Sequence, residues 1–329
     1  MPGDAPELPA KDLRTLIPEY AGLARETTLL NPEPGDPGVR ESSLGGGKLL
    51  WPADEPWPYC AQEDHWTYGS DLRNHTEIVP GAVPMVPILQ LFARDVPGLE
   101  FPEGEDLLQL VWCALIHEQD PGSVMPQLYW RNEAEVVAGG LLSEIPEVSE
   151  GEYDEDNMPE PSTLSPTTAE DCPRWLDLPK DMWETWEPRL RSPTGGSMRP
   201  PDSNIIGTKV GGRPAWTQPA DWPGCESGHR MEHLLTITGD IQLGDCGGVS
   251  FFHCRRCPGL PWDWRFDCHR QPRPVESQGR SGRAQRWQRP AGRRTDHGVG
   301  TARQPRPQPC SLPCPGKRRS SRTATWNTR

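Results

Sequence analysis

The second half of the chain holds two closely spaced pairs of residues that commonly bind metal ions. Cys225 and His229 are separated by three residues, and Cys254 and Cys257 by two. Thiolate and imidazole are favoured ligands of Zn²⁺, and two such pairs, each on a tight turn, can complete a tetrahedron. The spacing predicts a closed, structural zinc site, because four protein ligands leave no position for water. The alternative interpretation is that these cysteines are buried thiols of a β core.

Residues of the same types recur elsewhere in the chain. Additional candidate ligands near the second-half pairs are Cys246, His253 and Cys268. The first half contains a similar set, Cys60, His65, Cys113 and His117. Because Cys113 and His117 lie in an apolar run, we interpret this set as buried thiols and core histidines with hydrogen-bond partners, with zinc as the alternative.

The sequence offers no signature of a catalytic or cofactor-binding site. It has no Ser-His-Asp arrangement, paired carboxylates or dinucleotide-binding motif, and most of its clustered acids lie in a solvated segment. The stretch GGGK is not a phosphate-binding loop, because Ser42 stands where the first glycine belongs and Leu49 replaces the Ser or Thr after the lysine. We therefore predict no catalytic residues and no cofactor other than a structural zinc.

The candidate ligands lie in two segments of similar sequence. SLGGGKLLWPADEPWPYC at residues 43–60 resembles KVGGRPAWTQPADWPGC at residues 209–225, and LLQLVWC, ending at Cys113, resembles GGVSFFHC, ending at Cys254. The same matches in the same order indicate an internal duplication, with an insertion around residues 66–83 in the first copy. Short apolar runs punctuated by Pro and Gly favour strands. We predict an α+β fold, mainly antiparallel β, with two pseudo-repeated lobes in one body.

Changes in composition divide the chain into five parts. Residues 1–42 form a short N-terminal helix, kinked near Pro18, and a Pro- and Gly-rich loop. Residues 43–143 form the first β-rich lobe and residues 173–269 form the second. An acidic linker at 144–172, which contains no Lys or Arg, joins them. Residues 270–329 are a basic tail with almost no large apolar residues, which indicates either a disordered segment or out-of-frame translation of a GC-rich gene.

The charge distribution bears on partners and compartment. The net charge is −13, but the 14 bases and 2 acids after Arg270 leave 20 bases and 45 acids in the body. So acidic a body disfavours nucleic acid and favours a basic protein client, whereas the tail could bind polyanions non-specifically. The N-terminal stretch lacks the pattern of a leader peptide and no apolar run is long enough to span a membrane, so we expect a cytoplasmic protein. In that compartment we expect its ten cysteines to be reduced thiols or metal ligands.

Tryptophans outside the duplicated segments are candidates for a contact surface. The chain contains 14 Trp, several of them beside Pro at the repeated positions, where we expect them to fill the core. Trp183 and Trp186 instead belong to a predicted helix within residues 175–191. Because Trp is enriched at interface hot spots, these two rings are predicted to contact a partner.

The duplicated motifs resemble the YwqG-like family of bacterial domains of unknown function, distantly related to the eukaryotic programmed cell death protein 2 family. The resemblance runs from about Leu44 to Cys268. Its motifs are S-x-x-G-G, W-P-x-C, I-L-Q-L and D-L-L-Q-L in the first lobe, and K-V-G-G-x-P, W-P-x-C and M-x-x-L-L in the second. Cys60 lacks the second cysteine of the family's C-x-x-C, which argues against a first-lobe metal site. The resemblance implies no established catalysis, and its eukaryotic relatives are chaperones or adaptors that hold client proteins.

These observations lead to three functional hypotheses. The first is a non-catalytic protein-binding or chaperone-like module that holds its client in a cleft between two β-rich lobes. The second is a metal-dependent hydrolase that uses the Cys and His residues of the second lobe, which would require an open metal position and an acid or base with a shifted pKa. The third is an immunity-type interaction protein, which the sequence does not distinguish from the first.

Overall fold

The structure is a computed structural model that describes residues 13–46, 48–60, 62, 65–68, 76–117, 124–149, 153, 157–190, 204–238 and 247–267. It confirms the predicted fold class, because the described chain is mostly antiparallel sheet with few and short helices. The predicted tail lies outside the described residues.

The strands, in chain order, are β1 (Arg25–Leu29), β2 (Pro32–Pro34), β3 (Ser43–Leu44), β4 (Tyr59–Cys60), β5 (His65–Tyr68), β6 (Thr76–Ile78), β7 (Val83–Pro84), β8 (Val86–Phe92), β9 (Leu107–Cys113), β10 (Ile116–His117), β11 (Met125–Arg131), β12 (Ser162–Leu164), β13 (Thr167–Asp171), β14 (Lys209–Gly211), β15 (Glu232–Thr238), β16 (Gly248–His253) and β17 (Trp262–Asp267). The α-helices are α1 (Leu13–Leu16), α2 (Pro18–Ala21), α3 (Glu133–Gly139) and α4 (Lys180–Trp186), and two 3-10 helices span Trp175–Asp177 and Glu187–Leu190.

Two six-stranded sheets form the body. The first-lobe sheet has the order β11-β9-β8-β3-β12-β2, and the second-lobe sheet has the order β13-β1-β14-β15-β16-β17. One apolar cluster includes Leu91 and Leu110 of the first sheet together with Leu235, Val249 and Phe251 of the second, all buried. The two sheets therefore pack over a shared core, which makes the two lobes one body.

Two strands from outside the lobes, β1 and β12, complete the sheets and are here called the exchanged strands. β1, from the N-terminal segment, pairs with β14 of the second-lobe sheet, and β12, from the acidic segment, pairs with β3 of the first-lobe sheet. The expected helix and loop within residues 1–42 and the expected solvated linker at 144–172 are therefore wrong for the residues in these strands. Sheet pairing overrides the polar composition there, because partner strands satisfy the backbone hydrogen bonds and the sheets supply the core.

Strand register supports the duplication. Leu44 of β3 lies opposite Leu89 of β8, and in the same way Val210 of β14 lies opposite Leu235 of β15. The register of β8 with β9 shifts just before Leu89, and that of β15 with β16 shifts just before Leu235. Followed along β9 and β16, this correspondence makes Cys113 equivalent to Cys254.

The paired glycines make room for the exchanged strands. Gly45 has φ 71°, and a Cβ atom there would lie 2.5 Å from the Glu160 carbonyl oxygen, just before β12. Gly212 has φ 64°, and its Cβ would lie 2.7 Å from Thr27 in β1. Both positions combine a left-handed backbone with a close approach, so only glycine fits without strain.

The helices form a separate small core. The predicted N-terminal helix is interrupted before Pro18, giving α1 and α2, and Tyr20 packs edge-to-face on Trp186 with ring centroids 6.5 Å apart. Trp186 is buried among these helices, so its ring fills a core and offers no contact surface, contrary to our expectation. Trp183 is half-buried. None of the helices in the described ranges is long and apolar enough to cross a membrane.

Candidate metal centres

The pair Cys225 and His229 lies on a tight turn that leads into β15. The Cys225 N–H donates to the His229 carbonyl oxygen (2.9 Å), and the Gly228 N–H donates to the Cys225 carbonyl oxygen (2.8 Å). Gly228 has φ 78°, which a turn of this shape requires and which glycine adopts freely. The turn therefore brings the thiol and the imidazole to the same side, as the spacing predicts.

The pair Cys254 and Cys257 lies on the turn between β16 and β17. Cys254 follows the last residue of β16, and its N–H donates to the Pro261 carbonyl oxygen across the turn (2.8 Å). Gly259 and Leu260 both have positive φ, so the chain reverses sharply and presents both thiols inwards. Cys254 is buried and Cys257 is half-buried.

These four residues form one cluster, here called the second-lobe cluster. One ligand atom from each lies within 4.8 Å of every other. The Cys225 and Cys257 sulfurs are 3.7 Å apart, and His229 Nδ1 lies 3.7 Å from Cys254 Sγ and 3.5 Å from Cys257 Sγ. No disulfide links them, since the cysteines are free. Both predicted pairs thus meet in one place, and the set could hold a metal ion.

A second cluster, here called the first-lobe cluster, consists of Cys60, His65, Cys113 and His117. Its ligand atoms also lie within 4.8 Å of one another, and all four residues are buried. The Cys60 sulfur is 3.4 Å from His117 Nε2, and the two imidazole rings have centroids 6.0 Å apart. This set could hold a metal ion as well.

The expectation of a core histidine with hydrogen-bond partners is wrong for His65, whereas His117 has one partner in the Cys60 sulfur. Neither ring nitrogen of His65 makes a hydrogen bond to the described residues, and His117 Nδ1 makes none either. A buried polar group without a partner costs about 1–3 kcal/mol, so the His65 ring beside two thiols is a poor design for a purely apolar core. The arrangement fits a metal-binding set, which is the alternative that the sequence left open for these four residues.

The two clusters occupy equivalent places in the duplication but obtain their first histidine differently. The Met85 backbone N–H donates to the Pro58 carbonyl oxygen, and the Met231 N–H donates to the Pro223 carbonyl oxygen, each at 3.0 Å. Cys60 and Cys225 each lie two residues after these prolines, so they are equivalent. Cys60 pairs with Val83, whereas Cys225 bonds to His229.

Val83 therefore stands in the first lobe at the position that His229 occupies in the second. The first lobe's inserted segment between Cys60 and Val83 carries the hairpin β5–β6, and His65 at the start of β5 completes the cluster. The same set of ligand types is thus completed by different parts of the chain.

Within each cluster, hydrogen bonds between the thiols shift their pKa values in opposite directions. Cys113 donates a hydrogen bond to Cys60, which lowers the pKa of Cys60 against the opposing effect of burial. The same bond, together with burial, raises the pKa of Cys113. In the second-lobe cluster burial raises the pKa of Cys254, whereas for Cys225 burial is outweighed by hydrogen bonds from the His229 backbone and neighbouring thiols, and its pKa is lowered. One thiol of each cluster is therefore favoured as thiolate, the form that binds metal.

The remaining candidate ligands do not join either cluster. His253 accepts a hydrogen bond from Arg255 Nε (3.3 Å) and lies outside the second-lobe cluster. Cys246 and Cys268 lie outside the described residues.

Tryptophans of the repeated motifs support both clusters from the core. Trp216 stacks on Phe252 with centroids 5.7 Å apart, in the same apolar cluster as Cys225 and Cys254. Trp57 packs against Trp51 (4.7 Å) in the cluster that includes Cys60 and Cys113. The Trp-Pro-x-Cys motif thus places a core ring, Trp57 or Trp222, three residues before Cys60 or Cys225, and Trp222 also packs on Phe252 (5.5 Å).

Comparison with known proteins adds nothing to these observations. No protein-family model matches the chain, and no curated protein matches it.

Proposed function

We propose that this protein is a non-catalytic protein-binding module whose two lobes are each stabilised by a structural zinc ion. The observation that carries the proposal is the spacing of the ligand atoms. A tetrahedral zinc site has Zn–S bonds of about 2.3 Å and Zn–N bonds of about 2.0–2.1 Å, so its edges measure about 3.8 Å between sulfurs and about 3.5 Å between sulfur and nitrogen. In the second-lobe cluster the sulfur–sulfur distance is 3.7 Å, and the two sulfur–nitrogen distances are 3.5 and 3.7 Å.

The types of ligand support zinc over other divalent ions. Three thiols and an imidazole in one cluster, and two of each in the other, are soft and borderline donors of the kind that zinc selects. Calcium and magnesium prefer six or more oxygen ligands, and neither cluster contains a carboxylate. Zinc also requires reduced thiols, which fits the cytoplasmic location proposed for this chain.

The number of ligands favours a structural role over hydrolysis. A catalytic zinc keeps three protein ligands and one position for water, whereas each cluster supplies four side chains. The first-lobe cluster is entirely buried, which would also deny a substrate access. The hydrolase and the immunity-type protein therefore stay secondary hypotheses.

Charge and family resemblance support a protein client. The body carries 45 acids against 20 bases, which would steer basic ligands and repel polyanions. The resemblance to the YwqG-like family points to relatives that hold client proteins. A basic segment of a protein client is thus the partner that the proposal names.

Metal analysis tests the zinc sites. The full chain should contain about two zinc ions. Cys254→Ser with Cys257→Ser should leave about one, as should Cys60→Ser with Cys113→Ser, because each pair belongs to a different cluster. Cys172→Ser is the matched control, since Cys172 is a buried cysteine outside both clusters. A parent protein without zinc after purification in zinc-containing buffer would refute the proposal.

Peptide binding tests the client class separately. Basic and acidic peptides of equal length and scrambled sequence would be titrated into the zinc-loaded protein by fluorescence anisotropy. Basic peptides should bind more tightly, with affinity falling as salt rises, since exposed charges are screened beyond about 10 Å at 0.1 M salt. Equal binding of both peptides, or of neither, would remove the basic client while leaving the zinc sites untouched.

A further inference from the structure

Three arginines meet at one end of the second-lobe sheet. Arg25 begins β1, Arg213 lies two residues beyond β14, and Arg230 lies two residues before β15. β1 pairs antiparallel with β14, with Thr27 opposite Gly211, and β14 pairs antiparallel with β15. The start of β1, the end of β14 and the start of β15 therefore lie side by side, which places the three residues in one row.

These arginines are not neutralised by carboxylates. Within the described ranges Arg25 and Arg230 make no ion pair, although other arginines do so, such as Arg131 with Glu55 at 2.7 Å. The Arg213 guanidinium donates to the Leu23 carbonyl oxygen (2.7 Å), and its buried Nε has no partner there. This is unexpected in a body with more than twice as many acids as bases.

The nearest buried carboxylate is already committed. Asp171 accepts a hydrogen bond from Lys209 Nζ at 2.6 Å, and both side chains are fully buried. Asp171 also accepts from the backbone N–H groups of Ile205 and Arg213, each at 2.8 Å. Because Lys209 balances its charge, Asp171 does not neutralise the arginine row.

The arginines repel one another. Burial, followed by repulsion from Arg25, lowers the pKa of the Arg213 guanidinium. A guanidinium stays protonated throughout the physiological pH range, so the row keeps three positive charges. Like charges held together cost free energy unless an anion joins them.

We propose that Arg25, Arg213 and Arg230 form a binding site for one oxyanion group, a phosphate or a carboxylate carried on a small ligand. The planar guanidinium fork matches both groups through paired N–H···O bonds. Arg230 lies over the ring of Trp222 at 3.9 Å, which limits the directions its donors can take. The acidic body disfavours a polynucleotide, because phosphates beyond the first would meet negative charge. The row contains none of the proposed zinc ligands, although Arg230 directly follows His229.

Calorimetric titration tests this site, with inorganic phosphate and succinate as probes of the two oxyanion types. Titrations of the full chain would run at constant ionic strength set with sodium chloride. One variant carries Arg25→Gln and Arg230→Gln, which change exposed side chains and preserve the buried contacts of Arg213. The control carries Arg40→Gln and Arg189→Gln, which remove the same charge from exposed ion pairs on Glu133 and Glu19.

The expected result is saturable binding of at least one probe to the parent and the control, weakened at least tenfold in the Arg25 and Arg230 variant. The probe that binds identifies the oxyanion type. No saturable binding of either probe to the parent, or equal binding in all three proteins, would overturn the site. Zinc content measured on the same samples separates this outcome from a failure of the zinc proposal.

Discussion

At the scale of single residues, His65 gives the sharpest test of the first-lobe cluster. Its buried ring has no hydrogen-bond partner among the described residues, so without metal it should destabilise the fold. We predict that His65→Leu raises the free energy of unfolding by about 1–3 kcal/mol in chelator, since it removes that penalty. With zinc present the same change should lower it, because a ligand is lost.

The measurement is urea unfolding of parent and variant, each with excess zinc and with chelator. Val79→Ala, in the apolar cluster that includes Cys60 and Cys113, is a control that creates a cavity without removing a ligand side chain, and it should destabilise in both conditions. A variant less stable than the parent in both conditions would show that His65 is an ordinary core residue.

His233 predicts a pH dependence that does not involve the metal clusters. Its Nδ1 lies 2.7 Å from the Gly211 carbonyl oxygen and its Nε2 lies 2.7 Å from Thr236 Oγ1. Burial, with repulsion from Lys209, lowers the pKa of His233 to about 3.

The unfolded pKa is about 6.5, so unfolding binds a proton at intermediate pH. Stability from the neutral ring is complete above about pH 6.5 and is lost as pH falls towards 3, by an amount on the order of 2–4 kcal/mol. Unfolding of parent and His233→Gln between pH 4 and 8 measures this, and the variant should lose less stability on acidification. Parallel pH profiles for the two proteins would contradict the assignment.

At the scale of elements, the glycine pairs are explained by strand exchange. Gly45 has φ 71°, and a Cβ atom added there would lie 2.5 Å from the Glu160 backbone oxygen, so Gly45→Ala must displace the segment that leads into β12. We predict a loss of unfolding free energy above about 3 kcal/mol, larger than the 1–2 kcal/mol expected for a left-handed backbone alone.

Gly81→Ala is the matched control for this prediction. Gly81 has φ 87° with nothing within 4 Å of its Cβ position, so only the backbone penalty applies there. Urea unfolding at neutral pH with excess zinc compares the two variants. A loss at Gly45 no greater than at Gly81 would mean that the exchanged strand yields easily.

The sequence predicts those elements whose signal is local. The apolar runs LLQLVWC and GGVSFFHC identify β9 and β16, and the repeated Trp-Pro-x-Cys motifs identify the candidate ligands Cys60 and Cys225, because these signals are contained in a few adjacent residues. β1, β12 and β13 escape prediction, since their short polar sequences become strands only through pairing with distant partners. The sequence places His65 only among the alternatives, because it lies in an insertion with no counterpart in the second lobe.

At the scale of the whole molecule, strand exchange makes the two lobes interdependent. The second-lobe sheet contains β1 from the N-terminal segment between β13 and β14, so a chain that lacks β1 leaves β14 with an unpaired edge inside a buried sheet. The shared core has the same consequence, because Leu235 and Phe251 would face water without the first-lobe sheet.

We therefore predict that residues 13–269 unfold in one cooperative transition, and that residues 173–269 alone do not fold even with excess zinc. Calorimetry on the longer chain should give equal calorimetric and van't Hoff enthalpies, and circular dichroism of the shorter chain should lack the β signal. Zinc binding by the second-lobe cluster does not rescue the short chain, since both its pairs of ligands depend on β15 and β16 being held in a sheet. Independent folding of residues 173–269 would instead mean that the exchanged strand only completes the edge of a lobe that is already stable.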